Sequence, residues 1–268
     1  MIYLKSEYEI NRMRESAKLV SLAHAEVARH IKPGVPTSEL NRVAEDFIKK
    51  NDAKASFKGY GPKNNPFPAA LCISINEEVV HGFPGSYELQ PGDVVSIDCG
   101  INKNGYHGDV GYTYVVDECS EETLNLLHTT MSSLYDGIEH AVHGKKIGDI
   151  SNAIQTRCEN KGYGVVRDLV GHGVGKSLHE NPSVPNFGRP GRGERLRSGM
   201  TLAIEPMIAL GGYQVKTLDD GWTVVTSDGS VAAHYEHNIV VRDGEAEILS
   251  NFEYIEEITQ ISIGEITA

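Results

Sequence analysis

The first part of the chain contains two stretches whose apolar residues recur at the spacing of an α-helix. They cover residues 7–31 and 37–50, and Thr37 or Ser38 is the predicted N-terminal cap of the second helix. The apolar positions of the first stretch are Ile10, Met13, Ala17, Val20, Ala23 and Val27. Pro33 and Gly34 lie between the two stretches and predict a sharp joint between the helices.

The same arrangement returns near residue 120. Ser120 is the predicted cap of a helix that runs to about residue 142, Gly144 ends it, and a further helix covers about 148–161. Gly34 and Gly144 lie 110 residues apart. The chain is therefore predicted to contain a pair of helices twice.

The predicted strands repeat as well. The apolar runs 94–97 and 200–204 each follow a turn glycine and end in an acid, and Asp98 and Glu205 both lie six residues after that glycine. Glycine-containing turns at 102–105 and 219–221 predict antiparallel hairpins. We predict a duplicated α+β unit whose sheets meet at the acids, although a turn glycine, a strand and an acid can also match by chance.

The chain shows no flexible linker between the repeated parts. We therefore predict a single domain over residues 1–268, with internal halves at about 7–117 and 118–250 and a C-terminal tail at about 251–268. Within that tail, the acidic and isoleucine-rich run Tyr254–Ala268 is either a final strand or a loose end.

Composition excludes several classes of function. A net charge of -12 argues against sequence-independent binding of nucleic acid and against anionic membrane surfaces. No apolar run approaches the roughly 18 residues of a membrane span, and charged residues interrupt the N-terminus before a signal-peptide core could form. Four single cysteines without a CxxC pair suit a reducing compartment, so we expect a cytoplasmic protein.

Acids inside apolar strands are the main chemical signal. Ionised carboxylates are too costly to bury in a sheet unless a cation meets them. Oxygen donors with one imidazole suit Mn(II), Fe(II), Co(II) or Zn(II), and two such ions that share a water lower its pKa for hydrolysis. The candidate ligands are Asp98, Asp109, His172, Glu205 and Glu236. A hairpin could bring Asp98 and Asp109 to one side of a sheet, or Asp109 could belong to a loop.

Other motifs are weaker. The run 171–177 resembles a phosphate-binding loop. That motif requires a glycine at position 170, where this chain has Val170, so the phosphate-loop interpretation fails. We interpret the glycines of the run as letting the backbone pass close to a ligand while presenting His172. In the run 234–237, strand alternation places His234 and Glu236 on one face, and we favour Glu236 alone as a ligand. No HExxH or GxSxG motif occurs, which leaves zincin and serine-hydrolase functions without support.

These residues resemble a known family, the bacterial type 1 methionine aminopeptidases, over nearly the whole chain. The segments that carry the resemblance are Ile73–Gly82, Asp98–Asp109, Gly171–Gly175, His179–Pro182, Ile204–Pro206 and Trp222–Thr226 with Tyr235–His237. The resemblance implies the pita-bread fold, a pseudo-two-fold α+β domain with a central antiparallel sheet and flanking helices. This agrees with the duplication described above.

The resemblance also implies roles for individual residues. Asp98 would chelate one metal ion, Asp109 and Glu236 would bridge both, and His172 and Glu205 would complete the other site. Glu205 would also act as general base. His81 would contact substrate near its N-terminal amine and scissile bond.

Further roles concern the reacting carbonyl and the substrate side chain. His179 would bind the scissile carbonyl oxygen and its developing charge. The positions that match the methionine pocket are Phe57, Tyr60, Phe67, Cys72 and Trp222. Phe57 and Cys72 could instead be core packing. The segment Gly61–Leu71 is about four residues longer than the family pattern. This departure falls at the predicted lip of the methionine pocket. Asn76 matches a position whose backbone helps to hold a monovalent cation in relatives.

The leading hypothesis is removal of the initiator methionine from nascent polypeptides and peptides when the second residue is small, without a covalent intermediate. One alternative is a proline-directed aminopeptidase or dipeptidase of the same fold, although those relatives usually carry an additional N-terminal domain. Another alternative is a protein of this fold that binds peptides without cleaving them. Such a protein would be expected to lack some of the metal ligands, and none of the five is missing here. We expect a monomer, and a transient contact with the ribosome stays open.

Overall fold

The structure is a computed structural model, and it describes residues 1–259. Among these residues, no helix combines the length and the apolar character that a membrane crossing requires. The five helices are α1 (Glu7–Ala28), α2 (Thr37–Lys50), α3 (Glu121–Glu139), α4 (Ile147–Glu159) and α5 (Glu253–Thr259).

The strands are short except for two of ten residues each. In chain order they are β1 (Lys54–Ala55), β2 (Leu71–Ile75), β3 (Glu78–Val80), β4 (Val94–Lys103), β5 (Tyr106–Val115), β6 (Gly164–Val165), β7 (Gly171–Gly173), β8 (Glu180–Val184), β9 (Thr201–Ile204), β10 (Met207–Ala209), β11 (Val215–Thr217), β12 (Val224–Thr226), β13 (Ala232–His234), β14 (His237–Val240) and β15 (Glu247–Ile248). Every strand pair among them is antiparallel, which confirms the α+β prediction.

Two of the sheets position the candidate site. In the first, β4 pairs with β5 along its whole length on one side and with β2 and β1 on the other. The second has the order β15-β14-β9-β7-β8. Two smaller sheets have the orders β13-β10-β6 and β11-β12-β3.

The predicted helices are present, but several ends differ from the prediction. α1 ends at Ala28 rather than at residue 31. The chain turns tightly just after it, with hydrogen bonds from the His30 N–H to the Val27 carbonyl and from the Ile31 N–H to the Ala28 carbonyl. Pro33 further disfavours a helical conformation at the residue before it. α3 ends at Glu139 rather than about 142, and α4 covers Ile147–Glu159. Neither predicted cap of α2 is correct, since its N-cap residue is Pro36. The Thr37 hydroxyl instead accepts a hydrogen bond from the backbone N–H of Gly85 at 2.8 Å.

The two helix pairs are joined in the same way. Gly34 and Gly144 both have positive φ, +82° and +91°, the left-handed conformation that glycine adopts without strain. The residue that precedes the second helix of each pair then forms an isolated antiparallel bridge, Pro36 with Glu88 and Lys146 with Arg195. These bridges support the predicted duplication, while the boundaries of the halves stay a prediction.

A continuous apolar core lies between the helices and the sheets. Leu40, Ile97, Leu126 and Leu202 are fully buried members of it. Burial of each such side chain stabilises the fold by about 1.5–3 kcal/mol relative to exposure. The core therefore fixes the sheets on which the polar candidate residues are mounted.

The C-terminal segment differs from its prediction. Residues 253–259 form the helix α5 rather than a strand or a loose end, and residues 260–268 lie outside the described part of the chain. Asn251 caps this helix by accepting a hydrogen bond from the Glu253 N–H at 2.8 Å, and Ile255 is fully buried. The described part of the acidic run, residues 254–259, thus belongs to a short helix that packs against the core.

Candidate active site

Asp98 and Asp109 both lie within strands of one hairpin. Asp98 does not end its strand as predicted, because β4 continues to Lys103 before the turn at Asn104 and Gly105. Both turn residues have positive φ, +56° and +84°, as a tight two-residue hairpin requires. Asp109 belongs to β5 and is buried, so the alternative that places it in a loop is wrong.

The register of this hairpin puts both carboxylates on one face. Asp98 pairs with Gly111, and Asp109, two residues from Gly111, pairs with Gly100. Side chains two residues apart on a strand point to the same face, so the two acids are diagonal neighbours. Cys72 pairs with Asp98 from the other side and shares that face.

The other three candidate ligands come from the second sheet. His172 in β7 pairs with Ala203, and His237 in β14 pairs with Ile204 at the end of β9. Glu205 directly follows β9 and Glu236 directly precedes β14, so the two acids leave the same end of the ladder.

The two sheets are joined at the acids. The Glu236 N–H donates to the Gly111 carbonyl at 2.8 Å, and the Asp109 N–H donates to Asn238 Oδ1 at 2.7 Å. These bonds hold the ligands of the two sheets in one place.

The glycines beside His172 let neighbouring strands approach closely. A Cβ on Gly171 would lie 2.5 Å from the Ala203 carbonyl oxygen, and one on Gly173 would lie 2.4 Å from the Asn181 carbonyl oxygen. The absence of side chains here is thus required by neighbouring backbone, and the approach of a ligand to this segment stays a prediction.

The ligand-type atoms of three of the predicted ligands lie close together. One such atom from each of Asp109, His172 and Glu236 lies within 4.8 Å of the others. His172 Nδ1 donates to the Gly173 carbonyl at 2.8 Å, which leaves a lone pair on Nε2. That Nε2 lies 3.5 Å from Glu205 Oε1 and 3.8 Å from Asp109 Oδ2.

The electrostatics of the cluster are those of a cation site. Burial raises the pKa of Asp98 to about 7, and burial with the charges of neighbouring acids raises the pKa values of Asp109, Glu205 and Glu236 well above their usual range. Burial also lowers the pKa of His172 to about 3, so its ring is neutral.

Three buried carboxylate oxygens, Asp98 Oδ1, Asp109 Oδ1 and Glu236 Oε1, have no hydrogen-bond partner within residues 1–259. Neutral imidazole and carboxylate lone pairs that face each other need a cation, and this donor set fits a divalent one.

A pocket of about 280 Å³ opens onto this cluster. Every predicted site residue lines it, and their individual roles stay predictions. The predicted ligands in its wall are Asp98, Asp109, His172, Glu205 and Glu236, and the remaining predicted residues are Phe57, Tyr60, Phe67, Cys72, His81, His179 and Trp222. Phe57 and Cys72 are buried in an apolar cluster with Phe67, so they contribute to packing as well as to the wall of the pocket.

The long segment Gly61–Leu71 forms the lip of the pocket. It closes on itself through hydrogen bonds of 2.8 Å from the Phe67 N–H to the Tyr60 carbonyl and from the Gly59 N–H to the Phe67 carbonyl. Trp222 Nε1 donates to the Asn65 carbonyl at 3.0 Å, and the Trp222 and Phe67 rings meet edge to face at 5.3 Å. The extra length of this segment is therefore packed onto Trp222.

Two histidines stand on the pocket wall beside the acids. His81 has a positive φ of +62°, an uncommon conformation for a residue with a side chain, and burial lowers its pKa to about 4. The His179 ring packs against that of His172 with centroids 4.2 Å apart, and its Nδ1 lies 2.5 Å from the Tyr60 hydroxyl.

Several site features were not predicted from the sequence. Asn238 contacts the backbone of Asp109, and the signal that could have found it is its place two residues after Glu236 within an apolar strand. His234, which we did not favour as a ligand, lies with Nε2 3.8 Å from Glu205 Oε2. Asp168, Leu169 and Val170 also line the pocket.

The Asn76 backbone is in the left-handed region, with φ of +56°. Its carbonyl accepts a hydrogen bond from the Ala232 N–H at 2.9 Å, and its side chain bonds Asp93 and Val94. The predicted monovalent cation at this position stays a prediction.

Comparisons with known proteins identify the family of the chain. The model of metallopeptidase family M24 matches residues 11–243. A methionine aminopeptidase of Clostridium perfringens is 53% identical over 251 residues, which are 93% of this chain and 99% of that protein. The crystal structure of a methionine aminopeptidase from Thermotoga maritima superposes with a TM-score of 0.90 at 43% identity, covering 94% of this chain and 100% of that one.

The fold extends to more distant proteins. An X-Pro aminopeptidase structure from Thermotoga maritima has a TM-score of 0.73 at 18% identity and covers 92% of this chain, but this chain matches 62% of that one. The pita-bread fold is thereby confirmed. The extent and identity of the first matches show that the chain belongs to the methionine aminopeptidases of metallopeptidase family M24.

Proposed function

We propose that this protein hydrolyses the bond after an N-terminal methionine in polypeptides and peptides, with a divalent metal centre. The observation that carries the proposal is one pocket that combines four acids, two buried and two half-buried, and a histidine with an aromatic and sulfur-containing wall. An acid cluster alone is common to many metal sites, and the wall adds the fit for a thioether side chain.

The proposed centre holds two divalent ions of Co, Mn, Fe(II) or Zn. Asp98 would serve one ion, His172 and Glu205 would serve the other, and Asp109 and Glu236 would serve both. When bound, the ions supply Lewis acidity that lowers the pKa of a water and neutralises developing negative charge. The unpaired oxygens of Asp98, Asp109 and Glu236 support this assignment.

The surrounding side chains are proposed to move the proton and hold the substrate. Glu205 accepts the proton of the attacking water as general base. His179 donates a hydrogen bond to the scissile carbonyl oxygen as negative charge develops there. His81 contacts the substrate near its amine.

The methionine side chain is proposed to lie against Phe57, Tyr60, Phe67, Cys72 and Trp222. The Phe67 ring meets the Phe57 ring edge to face at 6.4 Å and the Trp222 ring at 5.3 Å, which leaves a narrow apolar space. A pocket of about 280 Å³ that also holds the metal centre leaves little room beside the scissile bond. This supports a preference for a small second residue.

The remaining proposals concern the domain organisation, oligomeric state, cellular location and partners of the protein. We propose a single catalytic domain that acts as a monomer in the cytoplasm on the N-termini of nascent chains, with transient ribosome contact. The ribosome proposal is supported by a loop that carries four exposed arginines, Arg189, Arg192, Arg195 and Arg197. The whole-chain charge of -12 conceals this local excess of positive charge.

The test is incubation of metal-reconstituted protein with Met-X-Ser peptides and with Ala-Pro-Ser, with the released N-terminal amino acid as the readout. We expect release to be fast for X of Gly, Ala or Ser, slow for Leu or Phe, and absent when the N-terminal amine is acetylated. Cleavage of the acetylated peptide would contradict an exopeptidase. Faster cleavage of Ala-Pro-Ser than of Met-Ala-Ser would favour the proline-directed alternative instead.

A further inference from the structure

The Tyr60 hydroxyl and the His179 ring form a direct contact across the pocket. The oxygen lies 2.5 Å from His179 Nδ1, and the ring centroids are 5.1 Å apart. We propose that Tyr60 is a positioning residue that donates this hydrogen bond and so keeps the His179 proton on Nε2. The proposal rests on the role proposed above for His179 and extends it to the residue that prepares it.

The chemistry depends on which ring nitrogen carries the proton. A neutral imidazole has one N–H donor and one acceptor nitrogen. If Tyr60 donates to Nδ1, the proton is on Nε2 and His179 can donate it in a hydrogen bond to a carbonyl oxygen. If Nδ1 donates to Tyr60 instead, Nε2 is an acceptor and faces the substrate oxygen with a lone pair. The direction of this one bond therefore decides whether His179 can stabilise an oxyanion.

Tyr60 is held in place from its backbone. Its N–H donates to the Phe57 carbonyl and its carbonyl accepts from Phe67, both at 2.8 Å. The next residue, Gly61, lies so close to Trp222 that a Cβ would be 2.5 Å from that ring. The phenol is thus presented by the packed lip of the pocket, although 41% of the residue is exposed.

His179 is held independently on the other side. Glu180, the next residue, forms an ion pair of 2.5 Å with Lys5 in which both side chains are nearly buried, at 6% and 11% exposed. The Ser177 N–H donates to Glu180 Oε1 at 3.2 Å, and the His107 N–H donates to the Gly175 carbonyl at 2.8 Å. With the segment before the histidine fixed, the contact joins two anchored groups rather than two mobile ones.

The first experiment is Tyr60→Phe, which removes the hydroxyl and keeps the ring in the pocket wall. Loss of one hydrogen bond should lower kcat for Met-Ala-Ser by about tenfold, while KM stays within about twofold. The matched control is Tyr8→Phe, which removes a hydroxyl that accepts from Arg12 at 3.3 Å on the exposed face of α1. The control should have the parental kcat.

The second experiment measures the tautomer itself. In zinc-loaded protein with ¹⁵N-labelled histidine, the His179 signals are assigned by their loss in His179→Gln. We expect a protonated Nε2 and an acceptor Nδ1 in the parent and in Tyr8→Phe, and a mixture of tautomers in Tyr60→Phe.

A proton on Nδ1 in the parent would overturn the proposal, as would unchanged kcat and unchanged tautomer in Tyr60→Phe. The spectrum does not require turnover. Failure of the peptide test would therefore refute the proposed function without deciding this contact.

Discussion

Asp98 and Asp109 are diagonal neighbours on one face of the β4–β5 ladder, and the residue opposite each of them is a glycine. A Cβ on Gly100 would lie 3.2 Å from Asp109 Oδ1 and 2.8 Å from the Phe57 ring. A Cβ on Gly111 would lie 2.7 Å from His234 Cε1. The two glycines therefore provide the space that the acids, the pocket wall and His234 occupy.

Gly111→Ala should destabilise the fold. His234 is buried and cannot swing away, so the added methyl forces a shift of the kind that costs about 1–3 kcal/mol in a packed interior. Urea unfolding of the metal-free protein measures this loss directly. Gly85→Ala is the control, because a Cβ there meets nothing within 4 Å. Equal unfolding midpoints for Gly111→Ala and the parent would show that the site has more room than this geometry gives it.

Asn238→Ala should weaken metal binding. The Asn238 amide oxygen accepts the Asp109 N–H, and its removal leaves that buried donor unpaired and the proposed bridging ligand less well oriented. Changes of groups that orient ligands typically cost about tenfold to a hundredfold in metal affinity, and we expect a loss in that range for Mn(II) by calorimetric titration.

The control for this variant is Ser120→Ala, which removes the N-terminal cap of α3 and destabilises the protein by about 1 kcal/mol without touching the site. If Ser120→Ala weakened Mn(II) binding as much as Asn238→Ala does, general loss of stability would explain both results. The role of Asn238 in orienting Asp109 would then be wrong.

Glu205→Gln should abolish most turnover while leaving the fold intact. The amide cannot accept the proton of the attacking water, and loss of a general base lowers kcat by about a hundredfold to ten-thousandfold. The metal-free variant should unfold at a temperature no lower than the parent, because one of several mutually repelling buried acids is gone. Glu122→Gln on the surface of α3 is the control. A parental kcat in Glu205→Gln would refute the assignment of Glu205 as base.

The sequence was sufficient to predict α1, α2, α3 and α4 and to single out the acids of the cluster, for a physical reason. A helix such as α2 is built from contacts three and four residues apart, so its extent can be read from local periodicity. Asp98 and Glu236 could be recognised one at a time, because an acid inside an apolar strand has an electrostatic cost that needs no knowledge of the fold.

The contacts between distant residues could not be predicted in this way. Asp109 and Asn238 are 129 residues apart, and Tyr60 and His179 are 119 apart. Their meeting depends on the order and register of the strands, which alternation within a single strand does not specify. The contact of Tyr60 with His179, the place of His234 beside Glu205 and the helical form of residues 253–259 all required the assembled structure.

The last prediction concerns pH and a turn outside the pocket. Asp228 lies between β12 and β13, where Oδ1 accepts from the Ser230 hydroxyl at 2.6 Å and Oδ2 accepts from the Gly212 N–H at 2.7 Å. These bonds lower the pKa of Asp228 from 3.8 to about 2, and the bond from the Ser230 hydroxyl has the largest effect. Since the folded protein releases this proton more readily than the unfolded chain, the carboxylate stabilises the fold above pH 3.8.

Asp228→Asn should therefore be less stable than the parent at neutral pH, and the difference should shrink as the pH falls from about 4 toward about 2. Urea unfolding of parent and variant across that interval gives the difference in the free energy of unfolding at each pH. Asp46→Asn is the control, because its ion pair with Arg42 is exposed and worth little. A difference that stays constant down to the lowest pH would mean that the Asp228 bonds do not depend on its charge, since an uncharged carboxyl would then hold the turn equally well.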